Sequence, residues 1–172
     1  MKLSALVLLL LWAVMSSGQE VNVSHGKGGI LILSISAKQS YSILASETKR
    51  PVLSVLCSLK GKKAGHLITF TAEGMLGEND AESAPKNGAI TLHLVVGGEK
   101  LVTDWIPYGD PTTFAYYGKT EPERAQFLSV LLKSPTLSVE FTPFLTGTAT
   151  TAVFDISQLR DEVNKHPECA QP

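Results

Sequence analysis

From residue 30 onward, apolar and polar positions exchange with a period of two in one run after another, the pattern of strands that bury a single face. The runs are ILILSIS (30–36), VLSVLCSL (52–59), HLITFTA (66–72), AITLHLVVG (89–97), KLVTDWI (100–106), TTFAYY (112–117), TLSVEFTPF (136–144) and ATTAVFDI (149–156). In the second, Leu53, Val55, Cys57 and Leu59 share one face while Ser54 and Ser58 take the other, which directs Cys57 into the core. In the fourth, Ile90, Leu92, Leu94 and Val96 alternate with Thr91 and His93, so the inner face is again plain. Polar, glycine-bearing turns separate the runs: GKKAG (61–65), Gly97-Gly98 and PYGDP (107–111), each suited to a reversal of direction. A longer segment, EGMLGENDAESAPKNG (73–88), reads as an exposed loop.

Two segments break the period of two. In TEPERAQFLSVLLKS (120–134), Thr120 and Glu123 have the capping-box spacing, Pro122 is tolerated in a first turn, and Phe127, Leu128 and Leu131 form one stripe, extended by Arg124. Ser134-Pro135 ends that helix. The second helix closes the chain: Asp155 or Ser157 caps it, Gln158 takes the box position for Asp155, and Ile156, Leu159 and Val163 face inward. Pro167 disfavours helical geometry at His166, so the helix is expected to stop near Lys165 and release Cys169 toward a partner.

Before the first run, QEVNVSHGKGGI is polar, glycine-rich and without periodicity, and residues 19–29 read as a flexible lead-in. Residues 30–172 then form a single β-rich domain, long enough to bury a full core. The expected fold is a mainly β, antiparallel β-sandwich with two short α-helices and one disulfide.

The first 18 residues change the picture of where this domain works. Lys2, an apolar stretch from Leu3 to Met15, and the small residues Ser16 and Gly18 predict a signal peptide over 1–18, cleaved before Gln19. The apolar stretch is shorter than the roughly 20 residues a membrane helix needs, so no membrane span is expected in the mature chain. The protein is expected to be exported, to the periplasm or the extracellular space. Loss of Lys2 leaves 14 basic against 16 acidic residues, a formal charge of −2. Nucleic acid is therefore excluded as a partner class, since a binding face needs clustered excess Lys and Arg.

The chain holds two cysteines, Cys57 and Cys169, and an oxidising compartment favours their pairing. A bond across 112 positions removes about 4–5 kcal/mol of unfolded-state chain entropy. The competing reading, a nucleophilic Cys with His66, His93 or His166 as its base, requires a low-pKa thiolate, for which a core-facing strand position is poorly suited.

Other chemistry is sparse. The four histidines lack HxH, HExxH or CxxC context, so they read as isolated surface side chains, and neither metal nor cofactor is expected. Glu78, Asp80 and Glu82 lack the order of a calcium loop and read as solvated charge. No GxSxG, SxxK or glycine-rich phosphate loop occurs, and no enzymatic activity is expected. One stretch stands apart: DWIPYGDPTTFAYY (104–117) concentrates Trp105, Tyr108, Phe114, Tyr116 and Tyr117. Trp105, Tyr108, Tyr116 and Tyr117, with Asp104 and Asp110 as hydroxyl partners, make a candidate ligand surface for peptidoglycan or another glycan. The competing reading sends Trp105 and Phe114 into the core, and adjacent Tyr116 and Tyr117 must face opposite sides.

The order PVLSVLC (51–57), a strand-rich middle with Trp105, FLSVLLKSPTLSVEFTPF (127–144) and TAVFDISQLRDEVNKHPEC (151–169) resembles a group of bacterial exported proteins. These are the TagO-like (VasI-like) proteins associated with type VI secretion, whose domains end in a Phe-Asp, Leu-bearing helix and a terminal Cys. The resemblance spans about residues 50–169. It implies Cys57 and Cys169 as a structural pair, Phe127 to Leu132 as the helix before a crossing strand, and Phe154-Asp155 with Leu159 as the closing strand and helix. The chain departs from the group at Leu56, where a basic residue is frequent, and over residues 19–49. The resemblance implies an accessory protein of the cell envelope, with a protein or a glycan as partner. The expected function is thus a non-catalytic exported binding or accessory protein, associated with a secretion system. The alternative is a secreted inhibitor of a cell-wall hydrolase or protease, with the loop at 73–88 as its plug.

Overall fold

The computed structural model describes residues 19–44, 47–58, 65–72, 89–143, 147–166 and 169. The expected signal peptide, the Leu59 position and the loop at 73–88 lie outside these residues. The strands are β1 (Asn22–Gly26), β2 (Ile30–Ser36), β3 (Tyr41–Leu44), β4 (Glu47–Lys49), β5 (Val52–Ser58), β6 (His66–Thr71), β7 (Ile90–Val96), β8 (Glu99–Tyr108), β9 (Asp110–Tyr116), β10 (Thr136–Phe141) and β11 (Thr150–Asp155). Helix α1 (Glu121–Leu131) lies between β9 and β10, and α2 (Ser157–Lys165) follows β11. No helix among the described residues is long and apolar enough to cross a membrane.

Nine strands form one sheet in the order β1-β2-β5-β6-β9-β8-β7-β10-β11, and β3 pairs with β4 in a separate hairpin. Every pairing is antiparallel. In a flat sheet, β6 and β10 would stand four strand spacings apart, about 19 Å. Yet the ring of Phe70 on β6 is 5.4 Å from that of Phe141 on β10 and 6.3 Å from that of Phe154 on β11. The long sheet is therefore folded over, and its two halves face each other as an antiparallel sandwich with one shared core. Tyr41 of the small hairpin sets its ring against Phe141 at 5.2 Å, so β3–β4 closes one side of that core.

The alternation is realised residue by residue. Leu53, Val55 and Cys57 on β5 are buried, as are Leu92, Leu94 and Val96 on β7, while the residues between them look outward. At about 25 cal/mol per Å² of apolar surface, each fully buried Leu or Val contributes roughly 1.5–3 kcal/mol. Helix α1 has the expected capping box: Thr120 Oγ1 accepts the Glu123 amide at 3.4 Å, and Glu123 Oε2 accepts the Thr120 amide at 3.2 Å. Its buried stripe is Phe127, Leu128 and Leu131. Helix α2 buries Leu159 and Val163 and stops at Lys165.

Several expectations need correction. Residues 22–26, read as part of a flexible lead-in, form β1 in register with β2. Their side chains are exposed along most of the strand, so neither face is apolar and no alternation marks them; a polar edge strand is held by its backbone bonds. The hairpin β3–β4 was equally silent, its strands being only four and three residues long. The turn expected at 107–111 is tighter: β8 continues through Tyr108, β9 begins at Asp110, and Gly109 alone, at φ 77°, reverses the chain. The box expected between Asp155 and Gln158 does not form. Ile156 occupies the cap, and Asp155 Oδ1 instead accepts the amide and hydroxyl of Ser157, at 3.3 and 2.6 Å.

Cys57 and Cys169 form a disulfide, with Cα atoms 5.4 Å apart and both residues fully buried. It ties the segment that follows α2 to β5 near one end of the sandwich.

Candidate functional site

The aromatic segment 104–117 is dispersed by the fold rather than gathered on one surface. Trp105 is 1 % exposed and packs its ring against Phe127 at 6.1 Å and Tyr116 at 6.0 Å, its indole N–H donating to Thr103 Oγ1 at 2.8 Å. Phe114 is also buried. Tyr116 stacks on Phe127 at 3.8 Å and lines a shallow groove between β8 and α1; burial, and then the charge of Glu123, push its hydroxyl above the usual tyrosine value. Tyr108 and Tyr117 are exposed, but near opposite ends of the paired part of β8: Tyr117 donates its amide to the Asp104 carbonyl, whereas Tyr108 lies beside Asp110. Asp104 accepts the Thr91 hydroxyl at 3.0 Å. Asp110 is spent on its own turn, accepting from the amide and hydroxyl of Thr112 at 2.8 and 2.6 Å and from Thr113; the Thr112 bonds hold its carboxyl below the usual range.

A denser cluster forms where β5, β6, α1 and the tail meet. His66 opens β6 directly opposite Cys57 on β5, and Glu121 is the first residue of α1, which packs on β6. Glu121 Oε1 accepts the His66 amide at 2.7 Å and also meets the ring Nδ1. The other ring nitrogen, Nε2, meets the carbonyl oxygen of Cys169. Glu121 Oε2 accepts from Arg124 Nε at 3.2 Å and Nη2 at 2.7 Å, and Arg124 Nη1 donates to the Gly118 carbonyl at 2.8 Å.

Burial pushes the Glu121 carboxyl up, but the bonds from Arg124 and His66 outweigh it and hold the group below the usual carboxylate range. Glu121 is thus an ionised acceptor. The Cys169 carbonyl can only accept, so Nε2 donates to it, while Nδ1 meets the Glu121 carboxylate. His66 is 3 % exposed, and both ring nitrogens are committed within the protein. General base chemistry needs a ring nitrogen facing substrate, and this ring offers none. The cluster is built to hold elements together.

Sequence reasoning placed His66 among isolated surface histidines, and the fold corrects that. The available signal was weak: the hairpin register of β5 and β6 sets His66 across from an inward-facing Cys57, a position that is buried in consequence. Nothing in the spacing of 55 residues connects it to Glu121.

Beside this corner, a cleft of about 240 Å³ opens between α1 and α2, with His66 and Cys169 in its lining. No group of three or more His, Cys, Asp or Glu suited to a metal occurs among the described residues. The loop at 73–88, on which an inhibitory plug would depend, lies outside them. Compared with protein-family models, with curated proteins and with solved structures, the chain matches none.

Proposed function

We propose that the protein is a non-catalytic, exported binding or accessory domain of the bacterial cell envelope, associated with a secretion system as its resemblance to TagO-like proteins implies. The observation that carries this reading is the corner at Cys57, His66, Glu121 and Cys169. Both cysteines are consumed in a buried disulfide, and the His–carboxylate pair is consumed in tying the tail and α1 to the sheet. Such a bond persists in an oxidising compartment, in keeping with the leader-like residues 1–18. A rigid sandwich with its polar chemistry turned inward suits a domain that presents a surface rather than one that turns over a substrate.

The test is expression with residues 1–18 in a Gram-negative host, followed by fractionation, mass mapping without reductant and co-sedimentation with purified peptidoglycan sacculi. The expected result is a periplasmic chain beginning at Gln19, with Cys57 joined to Cys169, that sediments with sacculi. A chain retained in the cytoplasm with two free thiols overturns the export. Failure to sediment with sacculi overturns the envelope ligand.

A further inference from the structure

The cleft between α1 and α2 borders the His66 corner, with His66 and Cys169 in its lining, and the rest of its make-up is that of a binding pocket. Its inner wall is apolar, from Leu128 and Leu132 on α1 and its C-terminal turn and from Val163 on α2. Its mouth carries one cation from each side: Lys133, exposed, just beyond α1, and Arg160, half-buried, on α2. Among the described residues Lys133 has no ion-pair partner. Arg160 Nε stands 3.9 Å from Asp161 Oδ1, at the outer limit of an ion pair. Among the described residues no carboxylate lines the cleft, although the chain as a whole carries a net charge of −1.

Two cations in the lining of a cleft with apolar walls favour an anion whose charge stays with them while its body lies against the apolar side chains. The volume of about 240 Å³ corresponds to about eight groups of the size of a water molecule. We propose that this cleft binds a small organic monocarboxylate with an apolar body of about five to seven carbons. The carboxylate bridges Lys133 and Arg160, and the body lies over Leu128, Leu132 and Val163. Charge and apolar contact are both required: a neutral analogue of the same shape gives up the two cations, and an amine is repelled by them.

This inference does not rest on the envelope reading, and the two fail separately, since a soluble acid binds whether or not the protein recognises sacculi. The experiment follows backbone amide shifts of the mature protein during titration with hexanoate, hexanol and hexylamine. Hexanoate is expected to shift resonances of α1 and α2 saturably, with a Kd of about 1 mM or below. The Lys133→Gln/Arg160→Gln variant is expected to weaken it by at least about tenfold, while Lys133→Arg/Arg160→Lys retains it. Ser129→Trp, which places a large ring at the mouth from an exposed position, is expected to block binding while leaving the rest of the spectrum in place. Hexanol binding as tightly as hexanoate, an unchanged Kd in the charge-removing variant, or no saturable shift with hexanoate would each overturn the proposal.

Discussion

Replacing Glu121 by Gln changes one atom of the side chain and tests whether the corner at His66 holds the fold together. The carboxylate takes four bonds, two from His66 and two from Arg124. An amide keeps one acceptor oxygen and puts an NH₂ against a donor on the other side, so either His66 or Arg124 loses its partner. Hydrogen bonds to charged groups contribute about 1.5–3 kcal/mol net, and a buried donor left unpaired costs about 1–3 kcal/mol. The two cannot simply be added, and a loss of about 2–4 kcal/mol is expected, which for a domain of this size lowers Tm by about 5–15 °C. Urea unfolding followed by tryptophan fluorescence measures it, because Trp105 is buried at the base of α1's packing. Glu123→Gln is the control: its exposed carboxylate takes the Thr120 and Lys119 amides rather than a buried partner, and the change should cost about 0.5–1 kcal/mol. The pH dependence provides a second reading. The Glu121 carboxyl is held below its ordinary value in the folded state, so its contribution is complete above the unfolded pKa of about 4.3 and fades as pH falls through the lower folded value. Glu121→Gln should therefore lower stability at pH 7 and flatten the acid limb below about pH 5. A loss below about 0.5 kcal/mol, or an acid limb of unchanged slope, would refute the structural role given to this carboxylate.

Three further outcomes are expected. Cys57→Ser/Cys169→Ser should lose about 4–5 kcal/mol in urea unfolding, as the closure of a loop of 112 positions is released; a loss near zero would mean that the tail stays docked through α2 alone. Phe70→Ala, which empties a site shared with Phe141 and Phe154, should cost about 3–5 kcal/mol, against about 0.5 kcal/mol or less for the exposed Tyr108→Ala; equal losses would contradict a core between the two halves of the sheet. A Cβ at Gly118 would stand 2.6 Å from Arg124 Cγ and 3.3 Å from the Arg124 backbone nitrogen, so Gly118→Ala should cost about 1–3 kcal/mol by denaturant titration, and a neutral result would show Arg124 free to move.

The sheet was legible wherever one face of a strand is buried. Leu53-Val55-Cys57 and Leu92-Leu94-Val96 betray their strands because the core demands apolar side chains at every second position. Where the core makes no such demand, the signal disappears. β1 carries polar or exposed residues along most of its length and is held through the backbone, and β3–β4 is too short to show a period. Thr120 and Glu123 were readable because a capping box is local, satisfied within four residues. Asp155 obeyed another local preference, bonding to Ser157 two residues on, and the box with Gln158 lost to it. Trp105 and Phe114 went inward, the outcome that their size and the alternation of β8 and β9 favour over a ligand platform.

The two ties at the His66 corner were unequally visible for a physical reason. A pair of cysteines has a single possible internal partner, so the inventory alone selects Cys57–Cys169 once the compartment is oxidising. A histidine and a carboxylate have many candidate partners, and only the fold brings Glu121 from the start of α1 to the start of β6. The consequence is a corner in which four segments depend on one another. The disulfide holds the tail to β5, the Cys169 carbonyl holds the tail to His66 on β6, and Glu121 holds His66 to α1. The covalent bond sets where the Cys169 carbonyl stands, and that position gives the buried ring its second acceptor. Without it, a protonated Nε2 would lie in the core with no partner, an expensive state for a buried donor. The helices that wall the α1–α2 cleft are fixed from this corner, α1 through Glu121 and α2 through the tail that follows it. The chemistry spent on architecture thus holds in place the helices whose Lys133 and Arg160 line the cleft.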